Sequence, residues 1–213
     1  MRQADPMRIG LIGAGNIGTT LATILVRAGH EVAISNSRGP ASLQAFADTL
    51  GTSAQAVSVE EAAGFGDLAI ESIPFRAIPS LPGDALRGRI LVSASNCIPR
   101  RDGEIDLEGL THTEYVARQL PATRVVKCFN TITWQHLGEQ GDTSAPLQRR
   151  RVIPIAADDE EAAQRVAALV ASLGFGPLYT GSLAQSWLQQ PGFYNRNLAL
   201  WEAVTELEVA GRR

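Results

Sequence analysis

The chain has 213 residues, enough for one α/β domain and little more, with 45% apolar and 19% charged residues, proportions ordinary for a globular protein. A formal charge of −3 gives no basis for a nucleic-acid partner, and three His and two Cys are too sparse to suggest a metal site. No apolar run approaches the ~20 residues that cross a bilayer, so neither membrane nor metal enters the expectation.

In chain order, the polar MRQADP reads as a disordered leader, residues 1–6, before the fold starts at Met7. Residues 7–12 read as the first strand, and 16–29 as a helix with Leu21, Ile24, Leu25 and Ala28 on one face and Gly29 as its stop. Residues 31–35 form the second strand, and 40–50 the next helix, with Pro40 near its first turn. Further strands are expected at 55–57, 68–71, 90–94, 125–129, 151–155 and 176–179. Helices are expected at 58–63, 113–120, 159–173, 182–189 and 198–210. Such alternation predicts an α/β fold with a mostly parallel sheet covered on both faces. Residues 7–181 would make the main unit and 182–213 a short helical extension of the same domain. The 141–145 segment is the candidate mobile loop.

Between the first strand and first helix stands GLIGAGNIG, in which Gly13, Ala14, Gly15, Asn16, Ile17 and Gly18 match G-x-G-x-x-G. Alone the pattern is weak, but here it follows an apolar strand and opens an amphipathic helix, the context of a Rossmann-type, doubly wound dinucleotide-binding fold. The first glycine permits the turn, the second admits the pyrophosphate to the backbone, and the third lets helix and strand pack closely. In the NAD-binding form of this fold a carboxylate ends the second strand and accepts hydrogen bonds from the adenine ribose. Here EVAIS runs into Asn36, Ser37 and Arg38 instead, two neutral donors and a cation that suit a 2′-phosphate. A solvated turn is the plainer reading of Arg38, but its place relative to the glycine loop favours NADP(H).

With these residues placed, the chain resembles the NADP oxidoreductases dependent on the deazaflavin coenzyme F-420. The likeness runs from Met7 to about Phe193 and rests on GLIGAGNIGTTLA, NSRGPASL, ESIPF, RVVKCFNTI, IPIAADDEEA and LGFGPLYTGSLAQSW. The cofactor domain of the six-transmembrane metalloreductases is similar in the same parts. The resemblance implies hydride exchange between NADP(H) and a second redox molecule lying against the nicotinamide. It places Gly13, Gly15, Asn16 and Ile17 at the pyrophosphate, and Ser37 and Arg38 at the 2′-phosphate. Ser72, Ile73 and Pro74, then Ala94 to Asn96, match turns lining the cofactor, while Asn130 and Thr131 match the part closing over the nicotinamide. Residues 95–103, SNCIPRRDG, depart from the family's short Pro-containing turn and leave the second substrate open.

Three segments are expected to converge at the strand ends, namely 73–75, 96–102 and 130–134. Few groups offer acid–base chemistry. Lys127 reads as a strand residue with a solvated end, His112 as part of a helix cap, Tyr115 as packing and His30 as a surface turn residue. Cys97 reads as a bystander, and with Cys128 as a reduced thiol of a cytosolic protein. Arg100, Arg101 and Asp102 serve equally well as an anion-binding group or a solvated face. Trp187 and Trp201 are expected in the core or at a subunit contact, and Leu200, Trp201, Val204 and Leu207 form a stripe suited to a homodimer. The function expected is an NADP(H)-dependent oxidoreductase with no catalytic side chain of its own. Its partner would be a deazaflavin or flavin, or a small carbonyl or imine compound; a non-catalytic NADPH-sensing module is the alternative.

Overall fold

The computed structural model describes residues 5–190 and Glu202. Eight strands build one sheet: β1 (Arg8–Ile12), β2 (Glu31–Ser35), β3 (Ala54–Ala56), β4 (Leu68–Glu71), β5 (Ile90–Ser93), β6 (Arg124–Lys127), β7 (Val152–Ala157) and β8 (Gly176–Tyr179). The helices are α1 (Asn16–Arg27), α2 (Gln44–Leu50), α3 (Val59–Ala63), α4 (Gly83–Leu86), α5 (Pro99–Asp102), α6 (His112–Gln119), α7 (Trp134–Glu139) and α8 (Glu160–Ser172). The strand order is β3-β2-β1-β4-β5-β6-β7-β8, parallel throughout except where β7 runs against β6. Successive strands first spread outward from β1 to β3, then return to β4 on the other side of β1. That reversal opens a crevice at the C-terminal ends of β1 and β4.

The central strands are buried along nearly their whole length, as IGLI, LAIE and ILVS require when helices cover both faces. On one face Leu21 and Leu25 of α1 share a core with Val166 and Val170 of α8. On the other, Ala62 of α3 packs with Phe75 and with Val116 of α6. The fold is therefore the doubly wound Rossmann type expected. No helix among the described residues is long and apolar enough to cross a membrane.

Several local expectations need correction. The helix expected over 40–50 is split into a 3₁₀ turn, Pro40–Ser42, and α2, because Ser42 Oγ bonds back to Asn36 Oδ1 and Gly39 O. The segment 182–189 is a 3₁₀ helix, Leu183–Gln189, held by a Ser182–Gln185 capping box. The cap of α6 is Thr111, not His112, and its box partner is Glu114. β6 stops at Lys127, short of the expected 129, because Phe129 takes a left-handed φ of 61° that no strand accommodates. The short helices α4, α5 and α7 offer too few turns for a period to show. His30 is buried rather than a surface residue: Nδ1 accepts from Met7 N–H at 3.1 Å and Nε2 lies 3.2 Å from Ser172 Oγ. The 141–145 loop is exposed but tied down, since the buried Arg150 donates to the Thr143 and Ala145 carbonyls and Asp142 N–H donates to Gly174 O. Asp5 and Pro6 are exposed and irregular. Residues 1–4, the helix expected over 198–210, Trp201 and the dimerisation stripe lie outside the described residues.

Candidate active site at the strand ends

A cleft of about 390 Å³ lies at the C-terminal ends of β1, β4, β5 and β6. Gly15, Asn16 and Ile17 line one side; Ser72, Ile73 and Pro74 follow; Ala94, Ser95 and Asn96 come next; Phe129, Asn130 and Ile132 close the far side. Ile98, Arg101 and Trp134 stand at its edge. Trp134 and Ile98 are 43% and 40% exposed, so the mouth is apolar on both flanks. The cleft thus brings together the loops expected to converge, although Phe75 turns away into the core, wholly buried.

The glycine loop has the geometry its sequence requires. Gly13 has φ 110°, and its N–H bonds Ser35 O at 3.0 Å. A Cβ on Gly18 would meet Gly13 O at 1.9 Å, so helix and loop touch there. A Cβ on Gly15 would meet nothing within 4 Å, leaving open space against the backbone. No side chain caps α1 and no acidic residue stands in its first turn, so its first N–H groups and positive end are available to an anion. A dinucleotide's pyrophosphate fits this opening.

At the end of β2 the turn is built by Asn36, whose Oδ1 accepts from Arg38 N–H at 2.8 Å and from Ser42 Oγ at 3.1 Å. Asn36 therefore shapes the turn, while Ser37 and Arg38 are exposed beyond it. Neither these three nor Gly13 and Ala14 line the cleft itself, and Thr131 is buried just behind its wall.

What the cleft rests on was not legible from the sequence. Lys127, read as a solvated strand end, is 1% exposed, and its Nζ donates to Ser95 O. Glu71 is fully buried, accepting from Ser93 Oγ at 2.6 Å, Ser95 Oγ at 2.8 Å and Ile73 N–H at 3.3 Å. Burial pushes the Glu71 carboxyl pKa up against these bonds and the Lys127 charge. Burial pushes the Lys127 ammonium down to about 8, opposed by Glu71. His112 is also buried, tilted against Phe75 at 5.5 Å, with Nδ1 accepting from Cys97 N–H at 3.4 Å; its pKa falls to about 4 through burial and then the Lys127 charge. Asp102 is no anion-binding partner or solvated group. Its buried carboxylate takes Ile98 N–H at 2.9 Å and Arg76 N–H at 3.4 Å, and pairs with Arg101 at 2.8 Å. Burial works to raise its pKa, but the Arg101 and backbone bonds outweigh that and hold it low. Arg101 also donates to Asn96 O at 2.6 Å, so it braces the cleft edge. Arg100 is exposed and does not line the cleft. Cys97 is half-buried with its thiol pKa raised by burial, and Cys128 is buried. Trp187 is 56% exposed, not a core residue.

Comparison with known proteins agrees with this geometry. A family model described as NADP oxidoreductase, coenzyme F420-dependent, matches residues 8–97, which hold the glycine loop, the turn after β2 and the ends of β4 and β5. The crystal structure of the hypothetical protein SMa0349 from Sinorhizobium meliloti is 36% identical, with a TM-score of 0.80 over 90% of this chain and 94% of that one. A structure from Arthrobacter sp. FB24, provisionally described as an F420-dependent NADP-reductase, is 22% identical with a TM-score of 0.68, covering 97% of this chain and 92% of the other; at that identity it speaks for the fold. Metalloreductase STEAP3 of Rattus norvegicus is 32% identical over 186 residues, 84% of this chain and 35% of that protein. The chain spans about a third of the length of the curated relatives it matches.

Proposed function

We propose, from the match of residues 8–97 to the NADP oxidoreductases described as coenzyme F420-dependent, that the chain is an NADP(H)-dependent oxidoreductase whose hydride partner is a flat ring system, a deazaflavin of the coenzyme F-420 type or a flavin. The observation that carries the reading is the chemistry of the cleft wall. Among the described residues lining it, Arg101 is the one ionisable side chain, and it is engaged with Asp102 and Asn96. Reduction of a carbonyl or imine needs a proton donor within hydrogen-bond reach. His112, Tyr115 and Lys127 do not line the cleft, and two of them are buried behind it. Hydride exchange between two rings instead needs alignment, with reacting carbons about 3–3.5 Å apart, and exclusion of water.

NADP(H), when bound, supplies the hydride carrier. The protein's part is to hold and orient it. The loop Gly13 to Ile17 and the first N–H groups of α1 suit the pyrophosphate, and the turn Asn36-Ser37-Arg38 suits the 2′-phosphate. Ser72 to Pro74, Ala94, Asn96, Asn130 and Thr131 would bound the nicotinamide end, where Ile17, Ile73 and Ile132 keep water out. The apolar mouth formed by Ile98 and Trp134 supports a planar second substrate over a small polar one.

The test is NADPH oxidation followed in parallel with a deazaflavin, a flavin and a panel of carbonyl and imine compounds. Turnover with a ring acceptor is the expected result. Turnover with carbonyls or imines alone would replace the ring acceptor by a small electrophile, and NADPH binding without turnover would make the protein a sensing module.

A further inference from the structure

One layer beneath the cleft, the last residues of three neighbouring strands stand in one row: Glu71 of β4 opposite Ser93 of β5, and Ser93 opposite Lys127 of β6. Two ionisable side chains buried in a sheet carry a desolvation cost of several kcal/mol each, and apolar residues of similar volume commonly serve stability as well or better. The fold alone gives no reason for them. Their contacts do.

Both converge on Ser95. Its hydroxyl donates to Glu71 Oε1 at 2.8 Å, and its carbonyl accepts from Lys127 Nζ. Ser95 itself lines the cleft between Ala94 and Asn96. The other oxygen of Glu71 accepts from Ile73 N–H at 3.3 Å, in the neighbouring turn. Asn96 then donates to Asn130 O at 2.9 Å and accepts from Asn130 Nδ2 at 3.0 Å, reaching the third turn. Bonds from one buried pair therefore run, directly or through Ser95 and Asn96, to every turn on the side of the cleft remote from Arg38.

We propose that Glu71 and Lys127 are positioning residues which, through Ser95, set the turns 72–74, 94–96 and 129–132 relative to one another and so shape the seat of the nicotinamide end of the cofactor. The proposal rests on the NADP(H) reading above. Neither side chain lines the cleft, so their influence must pass through the backbone they hold.

The experiment compares two ligands by calorimetric titration. Adenosine 2′,5′-bisphosphate probes the adenosine end alone, and NADPH probes the whole cleft. The variants are Glu71→Gln and Lys127→Met, singly and together, each with its melting temperature. A single change leaves a lone buried charge and can unfold the chain, so the charge-balanced double variant decides. It should bind the bisphosphate within about twofold of the unaltered protein but NADPH about tenfold more weakly, equivalent to about 1.4 kcal/mol. Ser95→Ala, which removes only the bond to Glu71, should shift the same ratio about threefold and decides the matter if the double variant does not fold. An unchanged ratio, or an equal loss of both affinities, would overturn the proposal and assign the pair to stability. Failure of the unaltered protein to bind NADPH would instead reject the proposed function and this proposal with it.

Discussion

Beside the cleft, at the end of β2, the groups offered to a ligand are exposed, adjacent in sequence and held by one short turn around Asn36. At the β5–β6 end, the backbone that meets a ligand is held from below by buried charges 24 and 32 residues away from Ser95. The first arrangement resembles a handle: the exposed Ser37 or Arg38 can be exchanged there and only the contact it makes is lost. The second is a frame, in which one change alters the spacing of several turns at once. Recognition of the phosphate and seating of the reactive ring would therefore respond to mutation in different ways.

Gly18 lies between the two regions, packed against the glycine loop and the turn after β4, and a substitution there should disturb both of these segments. Its missing Cβ leaves room for Gly13 O on one side and for Ser72 Oγ on the other, at 1.9 and 2.9 Å from where that atom would stand. The backbone contact cannot be relieved by a rotamer change, so Gly18→Ala should destabilise by about 3 kcal/mol or more. Gly15→Ala is the control: its Cβ meets nothing within 4 Å, so the melting temperature should hold while NADPH affinity falls. Chemical denaturation of both variants checks the contrast, and equal stability would mean that Gly13 O and Ser72 Oγ both move aside at little cost.

The frame should also be the acid-sensitive region. His112 is 8% exposed beside it, and its pKa is pushed to about 4 by burial and by the Lys127 charge, with Asp102 pulling partly the other way. Between its ordinary 6.5 and about 4, the unfolded chain takes up a proton that the folded chain refuses. Stability from this group is therefore complete above pH 6.5 and declines as the pH falls, by about 1.4 kcal/mol at about pH 5.5 and up to about 3 kcal/mol at the lower limit. Urea midpoints at about pH 7 and about pH 5.5 measure it: His112→Gln should lose less on acidification than the unaltered protein. An identical loss in both would place the titrating group elsewhere.

The same contrast governs what could be read in advance. The glycine loop and the turn at Arg38 announce themselves because each is contiguous, and the strand before and helix after supply the context. Strand positions were equally plain where buried runs such as LAIE alternate with helical segments. Nothing local marks Lys127 as buried: a lysine at a strand end is ordinarily solvated, and its enclosure comes from distant segments, among them the antiparallel β7 laid beside β6 and the turn at Ser95. Asp102 misled in the same way, since a carboxylate beside two arginines reads as surface until Ile98 and Arg76 N–H groups are found upon it. Phe129 gave no signal either, for a left-handed backbone is unexpected at an aromatic residue.

Arg38→Ala tests the handle by itself. If the guanidinium meets only the 2′-phosphate, a charged hydrogen bond of about 1.5–3 kcal/mol is lost, and NADPH binding weakens roughly 10- to 150-fold. NADH binding should hardly change, and so should the melting temperature, because the side chain is exposed. Asn36→Ala sharpens the point: it removes the acceptor of Arg38 N–H, so it should weaken NADPH too, but through the shape of the turn. Equal loss of both cofactors in Arg38→Ala would mean the residue serves the turn and not the phosphate.

The smallest expected effect is the one that separates ring-to-ring hydride exchange from proton-assisted reduction. Tyr115 is a ring of the kind that donates protons in carbonyl reduction, and it belongs to the same helix as His112. Its own surroundings are those of packing: its ring lies 5.4 Å from that of Phe75, and the Arg118 guanidinium lies 5.5 Å from its centroid. It does not line the cleft. Tyr115→Phe keeps the ring and its neighbours and deletes only the hydroxyl. Turnover should then stay within about twofold, against the ~10²–10⁴-fold loss that follows removal of a general acid. NADPH affinity measured on the same variant must be unchanged, so that a shift in α6 is not mistaken for lost chemistry. A thousandfold fall in kcat with binding intact would carry Tyr115 into the reaction and turn the second substrate from a flat ring into a carbonyl or imine.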